Sequence, residues 1–411
     1  MHEGWKHTEL AEHIDLLTGH PFKSAEYTEN EDDIKLLRGD NVVQGTIRWE
    51  NARRWPSDQT KGLERFRLSE GDVVVALDRT WVKSGIKASA ITPSDLPCML
   101  VQRVARIRAK HTLAQNFLVA IIQSHRFVEM VKSAKTETAV PHISPKDIRE
   151  FVIDLPPLSE QRKIAAILRN WDEALEKLNA LRALNIRRRV WLRTHLFTGK
   201  VRLPGFTGEW RKVPLSDVLH EHGSKSTGAE EVYSVSVHKG LVNQVEHLGR
   251  SFSAASTDHY NRVLPGDIVY TKSPTGDFPL GIIKQSKIDP EVIVSPLYGV
   301  FTPQTYALGV ILDALFESPL AARNYLHPLV QKGAKNTIAV TNKQFLEGKL
   351  HLPMDPNEQA AIADVVNASH AELACLDAEI KALTDQKRGL MQKLLTGEWR
   401  VEVSADEEAA A

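Results

Sequence analysis

The sequence predicts an α+β chain written twice. Two mixed α/β segments stand in tandem, each followed by a long helix, and the two helices pair as an antiparallel coiled coil about a pseudo-two-fold axis. Three observations predict this. A stretch opening on Glu160-Gln161 and closing on Thr198-Gly199 returns as Glu358-Gln359 to Thr396-Gly397, with one offset at both ends (358 − 160 = 396 − 198 = 198). Each stretch carries apolar residues at alternating steps of four and three, the seam of a coiled coil. The segments ahead of the two stretches share landmarks in one order. Self-similarity on this scale decides the architecture before any local reading does.

Within 411 residues, 42% of them hydrophobic, there is room for two to four folding units of about 100–200 residues each. A charged fraction of 25% argues against disorder outside the ends. Lys and Arg equal Asp and Glu at 52 each, so whole-chain charge indicates no partner. Cys98 and Cys375 lie far apart and read as two reduced thiols of a cytosolic protein. The start, Met1-His2-Glu3-Gly4-Trp5, has no basic region leading into an apolar run, so no signal peptide is expected. No run approaches the ~20 apolar residues of a membrane span. Ala307–Phe316 is short and carries Asp313. The expectation is a soluble cytoplasmic protein without a membrane partner.

The first segment, residues 1–154, opens on Trp5 to Leu10 and continues into a helix-like Leu10–Leu17. After the acidic turn Glu29 to Asp33 come short strand-like runs at Ile34–Leu37, Val42-Val43 and Gly45–Trp49. Gly71-Asp72 makes a tight turn feeding a buried β-branched strand, Val73–Leu77. Asn116–Val131 has helical spacing, and Ser144-Pro145 starts a short helix as N-cap and first residue. Phe151–Leu155 is a last strand, stopped by Pro156-Pro157. Residues 155–200 form the first helical spacer.

The second segment, residues 201–351, repeats the frame. Trp210 to Leu215 copies the step from Trp5 to Leu10, Gly266-Asp267 copies the turn before the buried strand, and Thr341-Asn342 answers Ser144-Pro145. The loops differ: Gln44–Thr60 has no counterpart in Ser224–Gly240. A shared frame with divergent loops is where binding specificity usually sits. Residues 352–400 form the second spacer, and 401–411 an acidic, alanine-rich tail expected to be disordered.

The second helix has the cleaner seam: Ile362, Val366, Ser369, Leu373, Leu376, Ile380, Leu383, Lys387, Leu390 and Leu394. In the first helix the equivalents are Ile164, Leu168, Trp171, Leu175, Leu178, Arg182, Asn185, Arg189, Leu192 and Leu196. The seam fails in the middle, where Leu181 and Leu184 are expected to take over by a local register change. Residues 160–200 hold ten Lys/Arg and four Asp/Glu, against five and seven in 358–400. Opposite net charge favours pairing of one helix with the other. About 35 helical residues make a rod of roughly 50 Å.

These motifs resemble those of the specificity subunits of Type I restriction–modification systems. The resemblance rests on Leu155-Pro156-Pro157-Leu158-Ser159-Glu160-Gln161-Arg162-Lys163-Ile164-Ala165, on Leu352-Pro353 through Glu358-Gln359-Ala360-Ala361-Ile362-Ala363, and on the closing Leu196-Phe197-Thr198-Gly199 and Leu394-Leu395-Thr396-Gly397. It implies two target-recognition domains, each reading one half of a bipartite double-stranded DNA site. It implies that the helices set the distance between the half-sites and dock two methyltransferase subunits, with restriction subunits joining. No cofactor is expected on this chain; S-adenosylmethionine would sit on the methyltransferase partners.

No catalytic set is apparent. There is no glycine-rich nucleotide loop. Asp154-Leu155-Pro156-Pro157 lacks the aromatic residue an amino-methyltransferase stacks on a flipped base. Glu347-Gly348-Lys349 reads as a loop, and His220-Glu221-His222 lacks further metal ligands. DNA contacts are expected from polar loops: Arg48, Arg53, Arg54, Arg79, Lys83, Ser84 and Lys87 in the first segment, and His238, Lys239, Lys272, Ser273 and Thr275 in the second. Both segments are charge-balanced, 22 basic and 22 acidic residues in 1–154 and 15 of each in 201–357. That balance also admits a non-enzymatic protein–protein scaffold with two adhesive domains. An enzyme with an unrecognised site is a third reading, disfavoured by the missing motifs.

Overall fold

A computed structural model describes residues 4–82, 85–133, 142–248, 256–332 and 338–404. The chain divides into two compact units. One takes the residues up to Leu178 together with those from Glu379 onward; the other is Asn179–Ala378. Both unit boundaries fall inside the two long helices, Leu158–His195 and Pro356–Leu395.

The first unit is built on an antiparallel sheet in the order Ala88–Ala90, Val73–Ala76, Val104–Ala109, Ile14–Thr18. Its second strand is Val-Val-Val-Ala and buried at every position. Side chains alternate across a strand, so Val73 and Val75 enter one core with Phe117, Ile121 and Phe127, while Val74 and Ala76 enter another with Leu36, Met99 and Val104. Burial on both faces explains the continuous apolar run; each buried valine contributes roughly 1.5–3 kcal/mol. Lys6–Glu9 pairs antiparallel with Val152–Leu155, so the first strand of the unit lies beside the strand that feeds the long helix.

Two expectations are corrected here. Leu10–Leu17 is not a helix: one 3-10 turn, Leu10–His13, gives way to the edge strand Ile14–Thr18. Its apolar residues serve a sheet face. Asn116–Val131 is two helices, Gln115–Gln123 and His125–Ser133, because Ser124 turns extended and its hydroxyl accepts the Phe127 N–H. Ser144 caps its helix as expected, in a reciprocal capping box with Asp147.

The second unit repeats the design. Its central sheet runs Ile283–Gln285, Ile268–Tyr270, Gly299–Pro303, Leu219–His220, the same order of equivalent strands. Trp210–Pro214 pairs antiparallel with Lys349–Pro353, and Thr341 caps its helix in a box with Gln344. The two turn aspartates behave alike. Asp72 is buried and accepts the Ser69 N–H and the Arg108 guanidinium; Asp267 accepts the Leu264 N–H, the Thr302 hydroxyl and a His222 ring contact.

Within each unit the helices run antiparallel. In the first, Ile164 and Leu168 share a core with Met391 and Leu394, and Lys387 pairs with Asp172. In the second, Leu196 and Phe197 pack with Ile362 and Val366, Arg182 pairs with Asp377, and Arg188 with Glu372. The seam does not shift register. Leu181 and Leu184 are exposed, whereas Asn185 is buried and Arg182 and Arg189 are half-buried. Arg182 and Arg189 can keep seam positions because acidic partners meet them, Asp377 and Glu317 respectively. Asn185 donates to its own helix at the Leu181 carbonyl. Trp171, Leu175, Leu178, Ile380, Leu383 and Leu390 are half-buried; Leu373 and Leu376 are buried. Of the tail 401–411, expected to be disordered, residues 401–404 are described and Val401 packs against the first core; 405–411 lie outside the described residues.

Candidate nucleic-acid interface

In the first unit, turns at the ends of separate strands converge on an open cleft of about 1030 Å³. Arg38 follows Ile34–Leu37, Arg53 precedes Arg54–Trp55, Arg79 follows Val73–Ala76, Lys87 bridges Gly85–Ile86 and Ala88–Ala90, and Arg103 precedes Val104–Ala109. These five cations face three carboxylates, Glu29, Asp40 and Asp78. Asp78 is engaged by Arg103 at 2.8 Å and by the His142 ring at 3.0 Å, and Asp40 lies 3.5 Å from Arg38. Arg79 and Arg103 adopt left-handed backbone, φ 50° and 67°, a conformation costly for residues with a Cβ and concentrated at functional sites.

Lys87 is the most enclosed of the five, 8% exposed. Its N–H donates to the Thr80 carbonyl, its own carbonyl accepts the Ala76 N–H, and Thr80 in turn donates to Ala76 and Leu77. Burial pushes its ammonium below the usual lysine range; Arg79 adds to this, and Asp40 and Asp78 oppose it.

Of the residues expected from sequence, Arg53, Arg79 and Lys87 line the cleft. Arg54 is half-buried and spent on the Asp33 carbonyl, 2.8 Å away, and Arg48 is exposed outside the lining. Lys83 and Ser84 lie outside the described residues. Arg38, Arg103 and His142 were not anticipated. They share no sequence spacing with the others; Arg38 and Arg103 each stand one residue from a strand end, and His142 is brought in by a single bridge to Asp78. Two tryptophans beside these basic residues are structural: Trp49 donates to Asp95, and Trp55 to the Gln59 carbonyl.

The second unit has a cleft of about 900 Å³ in which His238 and Thr275 meet Ser234, Ser236, Arg189 and Arg193. Lys239, Lys272 and Ser273 are not in its lining; Lys272 is half-buried, and burial lowers its pKa against the pull of Glu221. Arg189 and Arg193 belong to the first long helix, where the heptad pattern marks them only as seam breakers or surface charge. Glu317 ties this corner together, 2.8 Å from Arg189 and 3.2 Å from His370. Burial alone would raise the Glu317 carboxyl, but His370, Arg189 and Lys284 outweigh it and hold it at about 2.

The doubtful catalytic motifs are absorbed into structure. Asp154 is bound by His7 and Arg126, both at 2.7 Å. His222 holds Asp267, and among the described residues no group of three His, Cys, Asp or Glu is placed to hold a metal ion. No described helix is long and apolar enough to cross a membrane.

The repeated Glu-Gln pair acts as a clamp in both copies. Glu160, 3% exposed, accepts the Trp5 indole N–H and two hydrogen bonds from Arg400. Glu358, 1% exposed, accepts the Trp210 indole N–H and two from Arg202. Each glutamate is in the first turn of its helix, where negative charge is favoured. The following glutamines tie the helix starts to their segments: Gln161 to Pro156, Thr112 and Ala114, and Gln359 to Pro353 and Thr305.

Residues 2–185 match the family model of the Type I restriction modification DNA specificity domain. The chain is 34% identical over 181 residues to the Type I restriction enzyme EcoAI specificity subunit of Escherichia coli, covering 44% of this chain and 30% of that protein. It is 30% identical over 202 residues to the MjaVIII specificity subunit of Methanocaldococcus jannaschii, covering 49% and 47%. It thus spans about a third to a half of the curated relatives it matches. The fold is similar to that of the Type I restriction-modification S subunit from M. genitalium, with TM-score 0.57, 15% identity, and 95% and 96% of the two chains covered. A chain from a structure describing complex assembly and conformational transition of the type I R-M system gives TM-score 0.54 at 16% identity, covering 97% and 99%.

Proposed function

We propose, from the match of residues 2–185 to the Type I restriction modification DNA specificity domain, that this chain is a sequence-specific DNA-binding specificity subunit without catalytic activity of its own. The observation that carries the reading is the repeated frame with unlike clefts. The same strand order returns in both units, while the clefts differ in their polar set: the first gathers Arg38, Arg53, Arg79, Arg103 and Lys87, and the second sets Ser234, Ser236, His238 and Thr275 beside Arg189, Arg193 and Lys284. Each unit would read one half of a bipartite site, through groups that pair with phosphates and base edges.

The boundaries proposed are two recognition domains at 1–154 and 201–351 with helical spacers at 155–200 and 352–400. The helices would set the spacing and dock two methyltransferase subunits carrying S-adenosylmethionine, with a restriction subunit joining; the compartment would be the cytoplasm. The seam residues Leu373 and Leu376 are buried within the chain. A docking subunit would instead meet the exposed apolar side chains Leu181, Leu184, Val190 and Trp191. Exposed apolar clusters of this kind favour a protein partner. The charge-balanced recognition segments support weak DNA binding by the chain alone, with partner subunits supplying the backbone grip.

Gel shifts of the chain with and without a co-expressed methyltransferase test this. Sequence-specific retardation that strengthens with the partner is expected. Methyl transfer to DNA by the isolated chain would overturn the non-catalytic assignment, and absence of any sequence preference in the complex would overturn the recognition role.

A further inference from the structure

Lys87 combines properties that no other cation described in the first cleft shares. It is more than nine-tenths buried, its backbone is held on both sides by the Thr80 turn and Ala76, and its ammonium makes no ion pair or hydrogen bond with any described residue. Of the neighbouring carboxylates, Asp78 is held by Arg103 and His142, and Asp40 is largely exposed, 3.5 Å from Arg38; both favour the charged lysine, but neither forms an ion pair with it. A cation taken out of water normally recruits a carboxylate or loses its charge. Here the group is instead left waiting at the wall of a cleft that carries two strained arginines, Arg79 and Arg103. Exposed lysines on mobile stems suit phosphates, which ask only for a point charge. A rigid, recessed donor suits an acceptor whose position is fixed, as on the edge of a base pair in the major groove.

We infer that Lys87 is a specificity-determining residue, donating a hydrogen bond from within the cleft to an acceptor on a base edge, the guanine O6 or N7 above all, in the half-site read by the first unit. The inference rests on the DNA-recognition reading and adds to it the residue and the chemistry of the base it selects. Burial, which weakens the ammonium's hold on its proton, also strengthens its hydrogen bond to a neutral acceptor that fills the cleft and displaces water from it.

The test is selection from a randomised duplex DNA library by the full chain in complex with its co-expressed methyltransferase, comparing the natural protein with Lys87→Met. The natural complex is expected to enrich a bipartite sequence. Lys87→Met is expected to lose the preference at one or two base pairs of one half, keep the other half, and bind the original sequence about 5- to 150-fold more weakly. An unchanged preference and affinity would overturn the inference. So would a uniform loss on all sequences with a salt slope shallower by about 0.9, the mark of a phosphate contact. If the natural complex enriched no DNA, the recognition reading itself would fall. Thermal melting checks that the variant folds. If Lys87→Met erased the whole half-site through misfolding, Lys87→Gln, which keeps a donor on a shorter stem, decides: a shifted preference at the same pair supports the inference, and an unshifted one overturns it.

Discussion

Arg400 donates from Nε and Nη2 to the two carboxylate oxygens of Glu160, at 2.7 and 3.1 Å. The same relationship joins Arg202 to Glu358 at 2.5 and 2.7 Å. In each case a glutamate opening one long helix is held by an arginine lying just past the end of the other. Antiparallel pairing of the helices makes this reciprocity possible, and it gives the repeated Glu-Gln and Thr-Gly motifs a shared purpose. Gly199 and Gly397, at φ 69° and 73°, provide the left-handed turn that redirects the chain after each helix.

Removing either arginine leaves a buried carboxylate with an indole partner but without its cation. Arg400→Ala is expected to destabilise the protein by about 1–3 kcal/mol. Arg202→Ala should cost more, since the Arg202 side chain is 26% exposed against 46% for Arg400. Urea unfolding monitored by circular dichroism measures both, and equal or negligible losses would contradict the clamp.

Ser369 sits on the helix seam, 5% exposed, with a buried hydroxyl that has no hydrogen-bond partner among the described residues. Ser369→Ala removes a desolvated polar group without opening much volume. An increase in stability of about 0.5–1 kcal/mol is expected, read as a higher melting temperature. Leu373→Asp places a charge in the same seam and should instead lower stability by about 3 kcal/mol or more.

Glu317 gives a pH signature. Its folded-state pKa of about 2 lies below the value near 4.3 of an unfolded chain. The carboxylate therefore contributes stability that is full above about pH 4.3 and is lost as pH falls towards 2. Glu317→Gln should be less stable than the natural protein at pH 7, and the difference should shrink across that window. A difference that persisted at pH 2, measured by thermal melting, would place the effect in packing instead.

The two thiols should react at different rates. Cys98 is buried and its thiol is pushed up to about 12 by that burial, while Cys375 is exposed on the second helix. Iodoacetamide at pH 8 is expected to label Cys375 alone in the native protein and both after denaturation, as intact-mass spectrometry would show.

Some of the molecule was determined by the sequence alone, because the physics there is local. The caps at Ser144 and Thr341, the Gly71-Asp72 and Gly266-Asp267 turns, the valine strand and the period of the helices all follow from neighbouring residues. So did the duplication, and opposite helix charge anticipated the ion pairs Arg182–Asp377 and Arg188–Glu372. Tertiary structure decided what depends on meetings between distant residues. The Arg182–Asn185–Arg189 stretch looked like a broken seam, yet it stays in register because Asp377 and Glu317 are delivered to its arginines. Leu10–Leu17 has helical apolar spacing but is drawn into a sheet edge by Val104–Ala109. The clefts were legible only in part: Arg53, Arg79 and Lys87 could be named, but Arg54 was lost to Asp33, and Arg38, Arg103 and His142 arrived through turns that no periodicity links. A repeat in sequence sets the frame; which side chains face one another across a loop is settled only when the strands beneath them pair.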